Sequence, residues 1–192
     1  MTTILDQLLP VYDFRTRYTR RVGASPEAVW AAIQGVTGDE LPVARALMMI
    51  RHLGSPPMSG RLLDVAPMPE LRRDEGRETV HGRVARFWRL RPTPGPEETR
   101  DAEAFAAFAE PGWAKAALAF RLTPIADGRT LLAAETRVRT NDPVSRRKFA
   151  PYWALIRLGG AMFIRLELLR AIARRAEAQA RGEAATAASA DQ

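Results

Sequence analysis

The stretch EPGWAKAALAFRL, Glu110–Leu122, combines a proline–glycine turn with strand-like alternation. Apolar side chains at every second position from Ala114 to Leu122 predict a strand with one buried face. Alanine is a poor strand former, yet it fills much of this segment. We predict that Ala114 and Ala116, together with Gly159 and Gly160 further along the chain, leave a space beside the sheet. The alternative is that alanine is abundant everywhere and the sheet packs closely without a void.

The composition is that of a one-domain globular protein. Of 192 residues, 46% are hydrophobic and 27% are charged. The segment GEAATAASADQ, residues 182–192, has no large apolar residue, so we predict a single domain over 1–181 and a disordered tail over 182–192. The sequence has no cysteine, no apolar run of membrane-spanning length and no secretion signal, and this combination predicts a cytoplasmic protein.

The basic charge does not indicate a nucleic-acid partner. The net charge is +7, but among 29 basic residues only Lys115 and Lys148 are lysines. The arginines are spread through predicted strands, turns and helices, whereas a nucleic-acid-binding surface is typically a concentrated basic patch. We predict no nucleic-acid binding.

The order of predicted elements indicates an α+β fold. Residues 12–22 alternate as a half-buried strand, and two short helices opened by Pro26 and Pro42 follow. Antiparallel strands then follow, with turns at 74–77 and 126–129. Residues from 142 to about 180 predict one long helix. We therefore predict a curved antiparallel sheet wrapped around a long C-terminal helix, with two short helices after the first strand.

The predicted long helix has one apolar face for the sheet. Its members recur at three- and four-residue spacing: Leu155, Leu158, Met162, Leu166, Leu169, Ala173 and Ala176. Trp153, Ile164 and Leu168 are predicted to point away from that face. Three partners could cover them: the N-terminal segment 4–12, a second copy of the chain in a homodimer, or an anionic membrane surface contacted peripherally.

Several segments together resemble the START-like superfamily, also called SRPBCC or helix-grip proteins, and in particular an uncharacterised bacterial group of it. They are LLPVYDFRTRY (8–18), SPEAVWAAI (25–33), GRVARFWR (82–89), FAAFAEPGWAKAALAFRL (105–122) and ETRVRTNDPVSRRKFAPYWALIR (135–157). The resemblance implies a deep cavity between the sheet and the long helix. In the wider superfamily that cavity holds lipids, polyketides or other apolar molecules. Some members are cyclases or aromatases, and many only bind or carry.

We predict that the protein binds or carries a hydrophobic or amphipathic small molecule, lipid-like or polyketide-like, in this cavity. The predicted ligand-binding residues are Arg86, Trp88, Trp113, Ala116, Phe120, Leu158 and Met162. Arg86 shares a strand face with Val80 and Val84, and an arginine on an apolar face needs a partner. That partner is a ligand carboxylate or, alternatively, Glu110 or Glu135.

The alternative function is a cyclase- or aromatase-like enzyme that uses the same pocket. No catalytic residue can be assigned, and we predict neither a cofactor nor a metal. His81 faces opposite Val80 and Val84, which predicts a solvent-facing side chain, and His52 ends a helix. Arg165 lies at the edge of the apolar stripe of the long helix, and we predict that it packs its stem and keeps its guanidinium in water.

Overall fold

The computed structural model describes residues 2–52, 60–65, 68–89, 92–157 and 161–190. The strands are β1 (Phe14–Val22), β2 (Glu70–Asp74), β3 (Glu78–Arg86), β4 (Thr93–Pro94), β5 (Ala114–Ile125) and β6 (Arg129–Thr140). The helices are α1 (Ile4–Leu8), α2 (Pro26–Gly35), α3 (Pro42–His52), α4 (Leu62–Val65), α5 (Ala102–Ala107), α6 (Pro143–Leu155) and α7 (Ala161–Ala190). Short 3₁₀ turns cover Gly38–Glu40 and Glu97–Arg100.

The strands form an antiparallel sheet in the order β1-β6-β5-β3-β2, with β4 beside β3. The hairpin turns fall where the sequence predicts them, because Gly76 and the pair Asp127–Gly128 adopt the positive φ angles that such turns require. The predicted α+β architecture is therefore confirmed: an antiparallel sheet, short helices after the first strand and a long C-terminal helix.

Both faces of the sheet are covered. We call the face that packs against α2, α6 and α7 the inner face, and the opposite face the outer face. On the outer face, Val80 and Val84 of β3 and Ala117 of β5 pack against Leu8 of α1 and Phe105 of α5. The N-terminal segment therefore covers the outer face of the sheet, and the prediction that it could cover the C-terminal helix is wrong.

The predicted single helix from residue 142 is two helices. Asp142 caps α6 by accepting hydrogen bonds from the backbone of Val144 and Ser145, as expected for an N-cap aspartate. This helix ends at Leu155, whose side chain is 70% exposed rather than packed on the sheet. The next described helix, α7, begins at Ala161.

The C-terminal tail predicted over 182–192 begins within helix α7, which continues to Ala190. Alanine, the best helix former, is abundant there and favours the helix.

Candidate functional site: a gap on the inner face of the sheet

Two apolar clusters pack on the inner face. The core cluster joins the sheet to α2 and α7, and includes Phe120, Ala134, Leu168, Leu169 and Ile172. The aromatic cluster joins the sheet to α6. Its members are Phe14, Ala114, Ala116, Val138, Phe149 and Trp153, with Phe87, Trp88 and Tyr152 against them.

The alanines of β5 make room for the aromatic cluster. The Phe149 ring centroid lies 5.0 Å from that of Phe14 and 5.8 Å from that of Trp153. These rings pack over Ala114, which is fully buried, and Ala116. The space that the small side chains leave is therefore occupied, at this end of the strand, by aromatic side chains of α6.

Accessible surface remains between the two clusters. Thr136 lies on β6, an interior strand, and its side chain faces inward. It is only half-buried, although Ala134 and Val138, its neighbours on the same face, are each 1% exposed. Leu118, the cross-strand partner of Thr136 on β5, is 8% exposed, and Thr16, its partner on β1, is half-buried. Solvent therefore reaches the middle of the inner face.

Arg165 of α7 closes this space from the helix side. Its Nη2 donates a hydrogen bond to Thr136 Oγ1 at 3.3 Å. Burial lowers the pKa of Arg165 to about 10, and the nearby Tyr18 hydroxyl opposes that shift. The guanidinium is still charged at neutral pH. We call the space bounded by Thr16, Leu118, Thr136 and Arg165 the central gap.

The Arg165 guanidinium thus turns toward the sheet, whereas the sequence predicted that it would extend into water. Leu168, one turn further along α7, is buried on the same side of the helix. Sequence periodicity places Arg165 at the edge of the apolar stripe, and this position is the sequence feature that indicates a side chain near the sheet.

His81 lies on the inner face of β3 beside the gap. Its partner across the sheet is Leu118, and its side chain is 3% exposed, so the predicted solvent-facing position is wrong. The ring Nε2 lies 3.1 Å from Thr79 Oγ1. Burial lowers the pKa of His81 below its ordinary value of 6.5, with the charge of Glu70 and the backbone of Met68 opposing the shift.

This pKa shift predicts a loss of stability in mild acid. His81 binds a proton less tightly in the folded protein than in the unfolded chain. Protonation below about pH 6.5 therefore favours the unfolded chain, and the free energy of unfolding falls as the pH drops from about 7 toward 5. We expect urea denaturation to show a smaller loss over this range for His81→Gln than for the wild type. Equal losses in the two proteins would show that His81 is not buried as a neutral ring.

The predicted polar ligand-binding residue, Arg86, lies on the outer face. Its Nε donates to the carbonyl of Gly112 at 3.0 Å, and its guanidinium carbon lies 4.3 Å from the centroid of the Trp113 ring. Trp113 packs with the outer-face cluster. Arg86 and Trp113 therefore do not line the space between the sheet and α7.

The two carboxylates proposed as internal partners of Arg86 also lie elsewhere. Glu135 binds Arg15 and Arg137 on the outer face, at 2.9 and 2.8 Å. Glu110 is exposed, and its backbone carbonyl accepts a hydrogen bond from the side chain of Asn141. Arg86 is satisfied by a backbone carbonyl and an aromatic ring instead.

The remaining predicted lining residues lie at or near the inner face. Ala116 is in the aromatic cluster and Phe120 in the core cluster, on the two sides of the gap. Trp88 packs against the aromatic cluster because β3 ends at Arg86 and the strand alternation ends with it. Met162 is half-buried at the start of α7. Leu158, Gly159 and Gly160 lie outside the described residues.

The predicted outward-facing residues of the C-terminal helices point inward. Trp153 is 8% exposed in the aromatic cluster, Leu168 is buried in the core cluster, and Ile164 packs against that cluster. The exposed apolar residues are different ones, among them Phe163 of α7 and Val43 of α3. These two line a surface groove of about 300 Å³ between the two helices.

No helix within the described ranges is long and apolar enough to cross a lipid bilayer. Among the same residues, no group of three or more His, Asp or Glu side chains is arranged to hold a metal ion.

No family model and no curated protein matches the sequence. Solved structures that it matches include protein MLL2253 from Mesorhizobium loti, at 14% identity and a TM-score of 0.38, covering 84% of this chain and 98% of that one. CalU16 from Micromonospora echinospora is 18% identical with a TM-score of 0.31, covering 87% and 86%. XoxI from Bacillus cereus is 12% identical with a TM-score of 0.33, covering 84% and 94%. These values are too low to place the chain in a family.

Proposed function

We propose that the protein is a START-like, helix-grip protein that binds or carries a hydrophobic or amphipathic small molecule in the central gap. The sequence segments that resemble this superfamily support the proposal, as does the arrangement of the antiparallel sheet and the long C-terminal helix. A ligand in the gap would contact Leu118 and Thr136 on the sheet and α7 on the opposite side.

The observation that carries the proposal is the accessible surface of Thr136. A side chain on an interior strand, facing a covering helix, is normally buried as completely as its neighbours, because protein interiors are close-packed. Here Ala134 and Val138 are buried, and Thr136 between them is not. A gap at the centre of a covered sheet face, with apolar clusters on both sides, is the geometry of a site for a small apolar ligand.

The gap favours binding over catalysis. Of the groups around it, Thr16 and Thr136 are neutral hydroxyls and Arg165 is a permanent cation at neutral pH, so none of these three can exchange a proton there. His81 is an acid–base group, but it is almost completely buried and its Nε2 contacts Thr79. The cyclase- or aromatase-like alternative requires a proton donor or acceptor that touches the ligand.

Calorimetric titration with dodecanol, a neutral amphiphile, tests the proposal. We expect saturable binding with one molecule per chain, because the proposed site is a single region of the inner face, between the core and aromatic clusters. The dodecanol should be recovered unchanged. Absence of saturable binding, or several weak sites per chain, would contradict the proposal. Turnover of an aromatic polyketide-like substrate that is lost in the His81→Gln variant would favour the enzyme instead.

A further inference from the structure

We propose that the ligand carries an oxyanion, a carboxylate or a phosphate, and that the guanidinium of Arg165 binds it inside the central gap. This inference rests on the proposed function, since it names the chemical class of the molecule that the gap receives.

Arg165 is half-buried against the sheet, and its guanidinium has one weak polar contact. Its hydrogen bond to the neutral Thr136 hydroxyl is 3.3 Å long. Among the described residues, no carboxylate lies within ion-pair distance of it. A guanidinium presents several N–H donors in a planar fork, and a single hydroxyl engages only one of them. The others are left to solvent or to a ligand.

Arg137 shows how this chain satisfies a buried cation when no ligand is involved. Its Nε and Nη2 each lie 2.8 Å from a carboxylate oxygen, of Glu135 and Asp6 respectively. Burying a charge without such partners is unfavourable. Arg165, on helix α7, faces the sheet without such a carboxylate, and charged groups in unusual surroundings concentrate at functional sites.

The surroundings of Arg165 match an amphiphile with one charged end. Arg165 contacts Thr136, whose cross-strand partner is the apolar Leu118, so the cation lies beside an apolar part of the sheet. A carboxylate or phosphate could accept two parallel N–H bonds from the fork, which is the geometry that arginine provides better than lysine. The hydrocarbon part would lie against the apolar residues.

The test compares three twelve-carbon ligands that differ only in the head group: dodecanol, dodecanoate and dodecyl phosphate. Titrations use the wild type, Arg165→Met, and the matched control Arg174→Met, which removes an exposed arginine of the same helix. We expect the wild type to bind at least one of the two anions about 10- to 100-fold more tightly than dodecanol, as charge-assisted hydrogen bonds predict. Whichever anion binds more tightly identifies the head-group source, a free carboxylate or a phosphate.

In Arg165→Met this preference should vanish while dodecanol affinity stays unchanged, and Arg174→Met should behave like the wild type. Equal loss of affinity for all three ligands in Arg165→Met would overturn the inference, because it would indicate a purely structural role. Saturable dodecanol binding without any anion preference in the wild type would overturn it as well, and would leave the proposed function intact. Failure of every ligand to bind would reject both.

Discussion

Replacing Leu118 with tryptophan should weaken the binding of dodecanol by at least about 100-fold, because the indole would fill the central gap from the floor of the sheet. Leu118 lies between Thr136 and His81 on the inner face, where its side chain retains accessible surface. A larger side chain at position 118 would extend into the central gap. The measurement is calorimetric titration of the variant under the conditions used for the wild type.

The matched control is Thr123→Trp, which adds the same side chain to an exposed position of the same strand. It should bind dodecanol as the wild type does. A second blocking variant, Thr16→Trp, enters the gap from the edge strand β1 and does not alter the core cluster. If the folded Leu118→Trp and Thr16→Trp proteins both keep wild-type affinity, the ligand binds elsewhere.

Arg137 and Arg165 should respond to the same substitution in opposite directions. Arg137→Met removes a buried cation that binds both Glu135, which keeps Arg15, and the part-exposed Asp6, and we expect it to lower the free energy of unfolding by about 2 kcal/mol. Arg165→Met removes a charge that burial disfavours and has no carboxylate partner, so we expect it to raise that free energy by about 1–3 kcal/mol in the ligand-free protein. The measurement is urea denaturation at pH 7.

For this comparison the proteins must be free of co-purified amphiphiles, since a bound ligand would stabilise the wild type selectively. Adding the preferred dodecyl anion should then stabilise the wild type more than Arg165→Met. A destabilisation of Arg165→Met as large as that of Arg137→Met would mean that Arg165 already has a strong partner within the fold. The proposal that Arg165 binds the oxyanion of a ligand would then be wrong.

The fold was largely predictable because its signals are local. Turn chemistry at Gly76 and at Asp127–Gly128, together with period-two alternation, is enough to predict the two long hairpins. Caps such as Ser25 and Asp142 mark where helices begin. Turns and helix caps are determined by residues that are adjacent in the sequence, so they can be predicted without knowing the tertiary structure.

The site was less predictable because its geometry depends on register between elements. Alternation within β3 correctly groups Arg86 with Val84 and places His81 opposite them. Which of these faces becomes the inner one depends on the pairing of Val84 with Lys115, and both faces of β3 are largely buried because α1 and α5 cover the outer one. Arg86 and His81 were therefore assigned to the wrong sides.

The helix phase had a similar limitation. A period of 3.6 residues predicts the buried stripe of an ideal helix. That stripe correctly includes Leu169 and Ala173, but it omits Leu168, which is buried, and includes Leu155, which is 70% exposed. The buried face of α7 is therefore wider than the predicted stripe, and Arg165 lies on it rather than at its edge.

The most direct test is crystallography with ω-bromododecanol, whose bromine is located by anomalous scattering. We predict one bromine site per chain between the sheet and the C-terminal helices, with the alkyl chain in contact with Leu118 and Thr136. A bromine found instead in the surface groove beside Phe163 and Val43, or a gap closed by the protein's own side chains with no ordered bromine, would contradict a ligand-binding gap on the inner face.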